Sequence, residues 1–320
     1  MHDTRAAGAP RRALRRAIEL AAGVVLVLWG AATLAFLTLR LVPGDAVDIM
    51  LGPHAQVSPE TKAAIRTELG IDLPWYEQYV GLLSRMLRGD FGESYQLRMP
   101  VAEVIGRQLG PTLQLTALAL VIALVLAFAA AVLARGRRAR GVVATLELVV
   151  LSSPVFWIGL VLLTVFSFTL GWFPVSGTGF AALVLPALTL ALPVAALLGQ
   201  VLRDGLEEAE RQPFAMSVRA RGASETRLLL RHTLRHGSTG ALTLAGYLVG
   251  SLLGGTVLVE TVFARAGVGR VTLAAITGRD LPVVTAVIML SAVVFVVVHL
   301  LVELAYPLLD PRLRRQAAAQ

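Results

Sequence analysis

Five histidines, at positions 2, 54, 232, 236 and 299, and one lysine, Lys62, are where chemistry would first be sought in this chain. Only His232 and His236 share a helical face, at the four-residue spacing with which two imidazoles can grip one metal ion. No glutamate follows His232 as in H-E-x-x-H, and Arg231 and Arg235 flank the pair with positive charge that opposes a cation, so no metal site is expected. Lys62 follows Thr61, so there is no G-x-x-x-x-G-K-[ST] phosphate loop and no ATP hydrolysis by that route. The absence of cysteine removes disulfides and thiolate chemistry. No serine sits in a G-x-S-x-G elbow, the acids are scattered, and Gly267 and Gly269 are too little for a nucleotide fingerprint. No catalytic residues are expected, and any ATP-driven step must come from a partner.

The remaining ionisable residues of interest border apolar runs. Glu147, Glu260 and Glu303 each stand at the end of one, where solvation is available; Glu147 and Glu303 are read as interfacial, whereas Glu260 follows a polar, glycine-rich run. That run carries Gly246, Gly250 and Gly254 at four-residue intervals, a ridge that lets helices approach closely, and Tyr247, Ser251 and Thr256 besides. Tyr247, Gly250, Ser251, Gly254, Thr256 and Glu260 are therefore candidates either for lining a conduit and packing on a second membrane subunit or for packing within the chain.

The elements that would hold these residues follow from hydropathy. The chain has 320 residues, 56% hydrophobic and 16% charged, with mean hydropathy +0.72; this is the balance of a membrane protein. Roughly 20 apolar residues cross a bilayer. Charge-free stretches of that length predict six spans, at 20–39, 108–134, 148–170, 181–202, 237–259 and 281–302, with the third and fourth divided at Gly171 to Pro174. Basic residues crowd the tail 1–19 (Arg5, Arg11, Arg12, Arg15, Arg16), the RGRRAR connection at 135–140, the loop 203–236 and the tail 303–320 (Arg312, Arg314, Arg315), whereas 41–107 holds nine acids against six bases. Positive charge stays inside, so both termini are expected in the cytoplasm. The pI near 10.8 is then explained by arginines beside spans, which suit anionic lipid better than nucleic acid. The first run resembles a signal peptide but is too long and lacks a clear cleavage site, so it is read as an uncleaved span.

Segment 40–107 is expected to fold as a small external cap. Ser58 and Pro59 mark a helix start, Leu69 and Gly70 its end, and Trp75, Tyr76 and Tyr79 sit on a second short helix where interfacial packing suits them. RGDFGES, residues 88–94, reads as a turn, and 260–280 as an external loop. Within 203–236, Pro213 suits a helix start, Arg219 and Arg221 its negative end, Gly222 its left-handed stop, and Ser224 the cap of the next helix with Glu225 in its first turn. Such a helix either transmits force to the two adjoining spans or lies as an amphipathic helix at the interface.

The ordered segments RLVPGDAVDIMLG (40–52), ELGIDLPWYEQY (68–79), RGDFGESY (88–95), SSPVFWIGL (152–160), LPALTLALP (185–193), LVETVFARAGVGR (258–270), RDLPVV (279–284) and LLDPRLR (308–314) resemble the membrane subunits of bacterial ATP-binding-cassette importers for dipeptides, oligopeptides and nickel. The resemblance implies an all-α polytopic fold of the type I importer class. It also implies that the helix bearing Phe214, Met216, Ser217, Val218, Arg219, Arg221, Gly222 and Ser224 docks on an ATPase, with Met216, Ser217 and Val218 at the E-A-A positions of a degenerate motif and Gly222 at its glycine. Of the later I-x-L-P element only Leu234 is kept, between His232, Thr233 and Arg235, and Ala266 stands where proline is usual. The implied partners are a second homologous permease, one or two ABC ATPases that carry ATP and Mg, and an extracytoplasmic solute-binding protein; no cofactor is expected on this chain. Peptide cargo is favoured over nickel or another small solute, and an ion-gradient-driven transporter is the alternative from another class.

Overall fold

The computed structural model describes residues 8–41, 47–48, 57–68, 70–134, 136–177 and 179–309. His2, Arg5, His54, Arg135, Arg312, Arg314 and Arg315, parts of the sequence-based readings, lie outside the described residues. The helices are α1 (Gly8–Leu41), α2 (Pro59–Glu68), α3 (Trp75–Leu87), α4 (Val101–Leu133), α5 (Arg137–Ser152), α6 (Val155–Thr169), α7 (Phe180–Arg211), α8 (Pro213–Ala220), α9 (Glu225–Val262), α10 (Val268–Thr277) and α11 (Leu281–Leu309). Five are individually long and apolar enough to cross a membrane, and the bent pair α5 and α6 makes a sixth candidate.

That bent pair differs from the straight third span read at 148–170. The chain turns by 109° between α5 and α6. Ser153 is extended at φ −95° and ψ 135°, because the ring of Pro154 disfavours the helical region for its predecessor and Pro154 has no N–H to donate. The other departure is α10, a ten-residue helix within the segment read as a loop at 260–280.

One compact unit comprises residues 1–109 and 271–297. In it Val101, Ala275, Val283 and Ala286 form a buried core. The predicted start of α2 is present, with Ser58 Oγ accepting from Thr61 N at 3.3 Å, and Gly70 follows it at φ +64°. Tyr79 of α3 stands against α1, its hydroxyl 2.7 Å from Thr33 Oγ1 and its ring 5.2 Å from Phe36. Trp75 and Tyr76 are exposed. The 88–94 turn uses Gly89 and Gly92 at φ +74° and +76°. It delivers Ser94 to the buried Asp280, which also accepts from Tyr95 N at 3.2 Å and Gln96 N at 3.3 Å. Burial, and then the Asp280 charge, raise the Tyr95 hydroxyl pKa above its ordinary value.

The other unit comprises residues 110–270 and 298–320. Its core joins Leu115, Ala119, Ala123 and Ala127 of α4 to α7 residues such as Leu185, Ala187, Ala191 and Ala195 and to Leu248, Leu252 and Val259 of α9. Between spans in lipid the hydrophobic effect is weak, so close contact of small side chains does the holding. The alanine stripe at four-residue spacing on α4 serves that purpose. At the crossing of α7 and α9 the backbones meet: a Cβ built on Gly237 would lie 2.6 Å from the Gly205 carbonyl oxygen.

Candidate functional site

The loop between α7 and α9 folds as its local residues demand. Gln212 is extended, Pro213 opens α8, and Ala215 is fully buried. Arg221 closes the helix, and Gly222, at φ +79°, donates its N–H to the Arg219 carbonyl at 2.9 Å. That conformation is free for glycine and strained for a side chain. Ser224 caps α9 by accepting from Arg227 N at 3.4 Å, as its type predicts.

The sequence-picked residues of this loop split into two sides. Phe214 and Val218 are half-buried with Ala215, and the Phe214 ring lies 4.8 Å from the His236 ring on α9. Met216, Ser217, Arg219, Arg221, Gly222 and Ser224 are exposed, Met216 at 76%. Arg219 grips Glu225 with both Nε (2.7 Å) and a terminal nitrogen (3.0 Å), and the pairing raises the Arg219 pKa further above its ordinary value. The loop thus holds a short helix, anchored through Phe214 and Ala215 and offering an apolar and basic outer face. His232 and His236 do not converge on a ligand: His236 Nδ1 lies 2.9 Å from the His232 carbonyl oxygen.

The α9 candidates also divide. Tyr247 (74% exposed), Ser251 and Gly254 lie on an open side, and a Cβ on Gly254 would meet nothing within 4 Å among the described residues. Gly250 is half-buried, while Thr256 and Glu260 face inward. Besides the Gly237 crossing, a close glycine approach on α9 is at Gly255, where a Cβ would lie 2.9 Å from Leu190.

Glu260, with no exposed surface, closes a clasp at the end of α9. Thr112 Oγ1 of α4 donates to it at 2.6 Å and accepts from Val268 N at 2.8 Å, while Arg270 N donates to Glu260 at 3.1 Å. Gly267 leaves the space its carboxylate occupies; a Cβ there would overlap it. Arg265 is buried beside the clasp with Nε unbonded, and burial lowers its pKa against the opposing pull of Glu260.

Two features were missed in the sequence. Glu147, read as interfacial, is buried and paired with Arg203 of α7 through both guanidinium terminal nitrogens, one at 2.6 Å. Fifty-six residues separate the partners, so no local spacing could reveal them. The Gly205 and Gly237 crossing has one glycine per helix and leaves no repeat. Among the described residues no group of three or more His, Cys, Asp or Glu could hold a metal ion.

Residues 119–315 match the family model described as binding-protein-dependent transport system inner membrane component, and residues 11–116 match its companion for the N-terminal region. The glutathione transport system permease protein GsiC of Escherichia coli strain K12 is 34% identical over 305 residues, covering 94% of this chain and 99% of that protein. A probable peptide ABC transporter permease protein, y4tP of Sinorhizobium fredii, is 35% identical over 291 residues, covering 87% and 92%. Among solved structures, the inward-facing MetNI methionine ABC transporter superposes with TM-score 0.55 at 17% identity, over 65% of this chain and 96% of that one, a likeness of fold.

Proposed function

The chain belongs to the inner-membrane components of binding-protein-dependent transport systems, and from that premise we propose that it forms half of a translocation pathway through which a peptide or glutathione-like cargo is imported. The observation that carries the mechanism is α8, a short helix held between two long membrane helices with an exposed face of Met216, Ser217 and Arg219.

In this reading α8 docks on an ATPase subunit inside the cell. The arginine-rich loops and both termini lie on that side, and the segment between α1 and α4 faces outward, where a solute-binding protein delivers cargo. A second homologous permease completes the pathway. ATP and Mg belong to one or two ATPase subunits, since this chain lacks a phosphate loop. ATP binding favours one arrangement of the ATPases, and α8 passes that bias to α7 and α9, so the pathway alternates its opening. Peptide cargo draws on the names of the similar permeases; nickel has no ligand set among the described residues.

The test is affinity purification of the tagged chain from its host in mild detergent, followed by uptake in proteoliposomes. Co-purification of a second permease and P-loop ATPases, with uptake of labelled glutathione or dipeptide that stops without ATP, is expected. Uptake driven by an ion gradient and indifferent to ATP would replace this reading with the secondary transporter.

A further inference from the structure

Two ion pairs join α5 to α7, and their placement concerns more than local stability. Glu147 pairs with Arg203 at a buried position, both side chains exposed by no more than 10%. Two turns earlier on α5, Arg140 meets Glu207 of α7 at 2.7 Å, at 50% and 34% exposure. The helices run antiparallel there, so residues seven apart on α5 meet residues four apart on α7. The charges alternate across the seam, with acid to base at one step and base to acid at the next, and a slip by one turn would bring Glu147 toward Glu207.

The seam continues into the α8 loop. A cavity of about 240 Å³ is lined by Ala131, Arg140, Arg203, Glu207, Glu225 and Leu229. Glu225 is the residue that grips Arg219 on α8. One set of charges thus extends from the outer face of α8, through the first turn of α9, to the interior of the α5 and α7 contact. The buried member is specially accommodated: a Cβ on Gly199 would sit 3.0 Å from Glu147 Oε1, so the absence of a side chain at 199 makes room for the carboxylate.

We propose that Glu147 and Arg203 are positioning residues for energy coupling: with Arg140 and Glu207 they staple α5 to α7, so that α5 moves with the α8 docking helix as one body. This rests on the importer reading above. A buried ion pair is a poor choice for stability alone, because desolvation offsets most of its attraction, but separating its members is strongly unfavourable. Such a contact holds one register and resists the intermediate ones. α5 does not adjoin α8 in the chain, being separated from it by α6 and α7, and Pro154 leaves it joined to α6 by a 109° bend. Without the staple, a displacement of α8 would reach α7 and α9 directly and leave α5 behind.

The chain has no cysteine, so spin labels at Val142→Cys and Thr226→Cys, both exposed, report the separation of α5 from the α8 loop. The measurement is electron–electron resonance distance in the assembled transporter, with and without ATP and a hydrolysis inhibitor. The staple predicts one narrow distance in both states, and a broadened, ATP-dependent distance after Glu147→Gln. Uptake per ATP hydrolysed should fall at least fivefold in Glu147→Gln and recover by more than half in the reversed pair Glu147→Arg with Arg203→Glu.

Arg140→Gln, at a half-exposed position that folding tolerates, supplies a second reading and should lower uptake per ATP about twofold. A distance in the unaltered complex that changes with ATP, or uptake per ATP unchanged in both Glu147→Gln and Arg140→Gln, would overturn the staple and leave the importer reading standing. Absence of ATP-driven uptake by the unaltered complex would overturn the importer reading and the staple with it.

Discussion

Thr112 shows how one hydroxyl can hold two distant parts of a chain. It gives its proton to Glu260 and takes one from the backbone N–H of Val268. Replacing it with valine keeps the shape but removes both the bond it gives Glu260 and the one it accepts from Val268 N, a loss of roughly 1–3 kcal/mol. Thr112→Val should therefore lower the Tm of the detergent-purified chain by several degrees, with Thr112→Ser close to wild type; equal Tm values for all three proteins would show that the clasp bears no load. Gly267→Ala should be worse, since its methyl overlaps the Glu260 carboxylate. The sequence flagged Glu260 by its place beside a polar span, but named neither Thr112 nor Arg270 as partners. Chemistry of type is visible in one residue, whereas a partner 148 positions away is visible only in space. The same holds for Glu147, whose place at the end of an apolar run read as access to solvent while the fold supplied Arg203 instead.

At the scale of elements, what depends on neighbours in sequence was legible. Pro213, Gly222 and Ser224 mark the start, stop and restart of helices where those residue types require them, and Ser58 does the same for α2. What depends on contrast within a uniformly apolar run was not. Hydropathy, which counts charge-free length, is blind to the bend at Ser153 and Pro154, whose cause is the backbone restriction that the proline imposes. The alanine stripe of α4 was similarly hidden, since alanine spacing stands out less than glycine spacing. The Gly222 break offers a direct test of α8 as a transmitting element. A β-branched side chain at φ +79° is strained by about 1–2 kcal/mol or more, whereas asparagine tolerates this region. A Cβ at Gly222 meets nothing among the described residues within 4 Å, so the substitution acts through conformation and docking. Gly222→Val should reduce uptake per ATP several-fold in proteoliposomes while Gly222→Asn retains most of it. Equal coupling in the two variants would mean that the left-handed turn does not set the position of α8.

At the scale of the molecule, the open side of α9 is the feature that this chain does not explain by itself. Tyr247, Ser251 and Gly254 follow one another at four and three residues along one face, all exposed, on a helix that packs Leu248, Leu252 and Val259 of another face into the core. Hydroxyls and an uncovered glycine are unfavourable toward lipid and suit a helix partner or a watered path. Of the two readings that the glycine spacing left open, packing on a second subunit is the one that an open Gly254 favours, for a Cβ there meets no atom of the described residues within 4 Å. A leucine at 254 should accordingly leave the isolated chain's stability within about 0.5 kcal/mol of wild type, as surface changes do, and yet interfere where a second permease approaches. The expected result is normal membrane insertion of Gly254→Leu, with recovery of the partner permease in affinity purification reduced at least threefold. Normal recovery and normal uptake would assign this face to lipid. Normal recovery with uptake lost would assign it to the path of the cargo, because a bulky side chain would then obstruct passage without disturbing assembly.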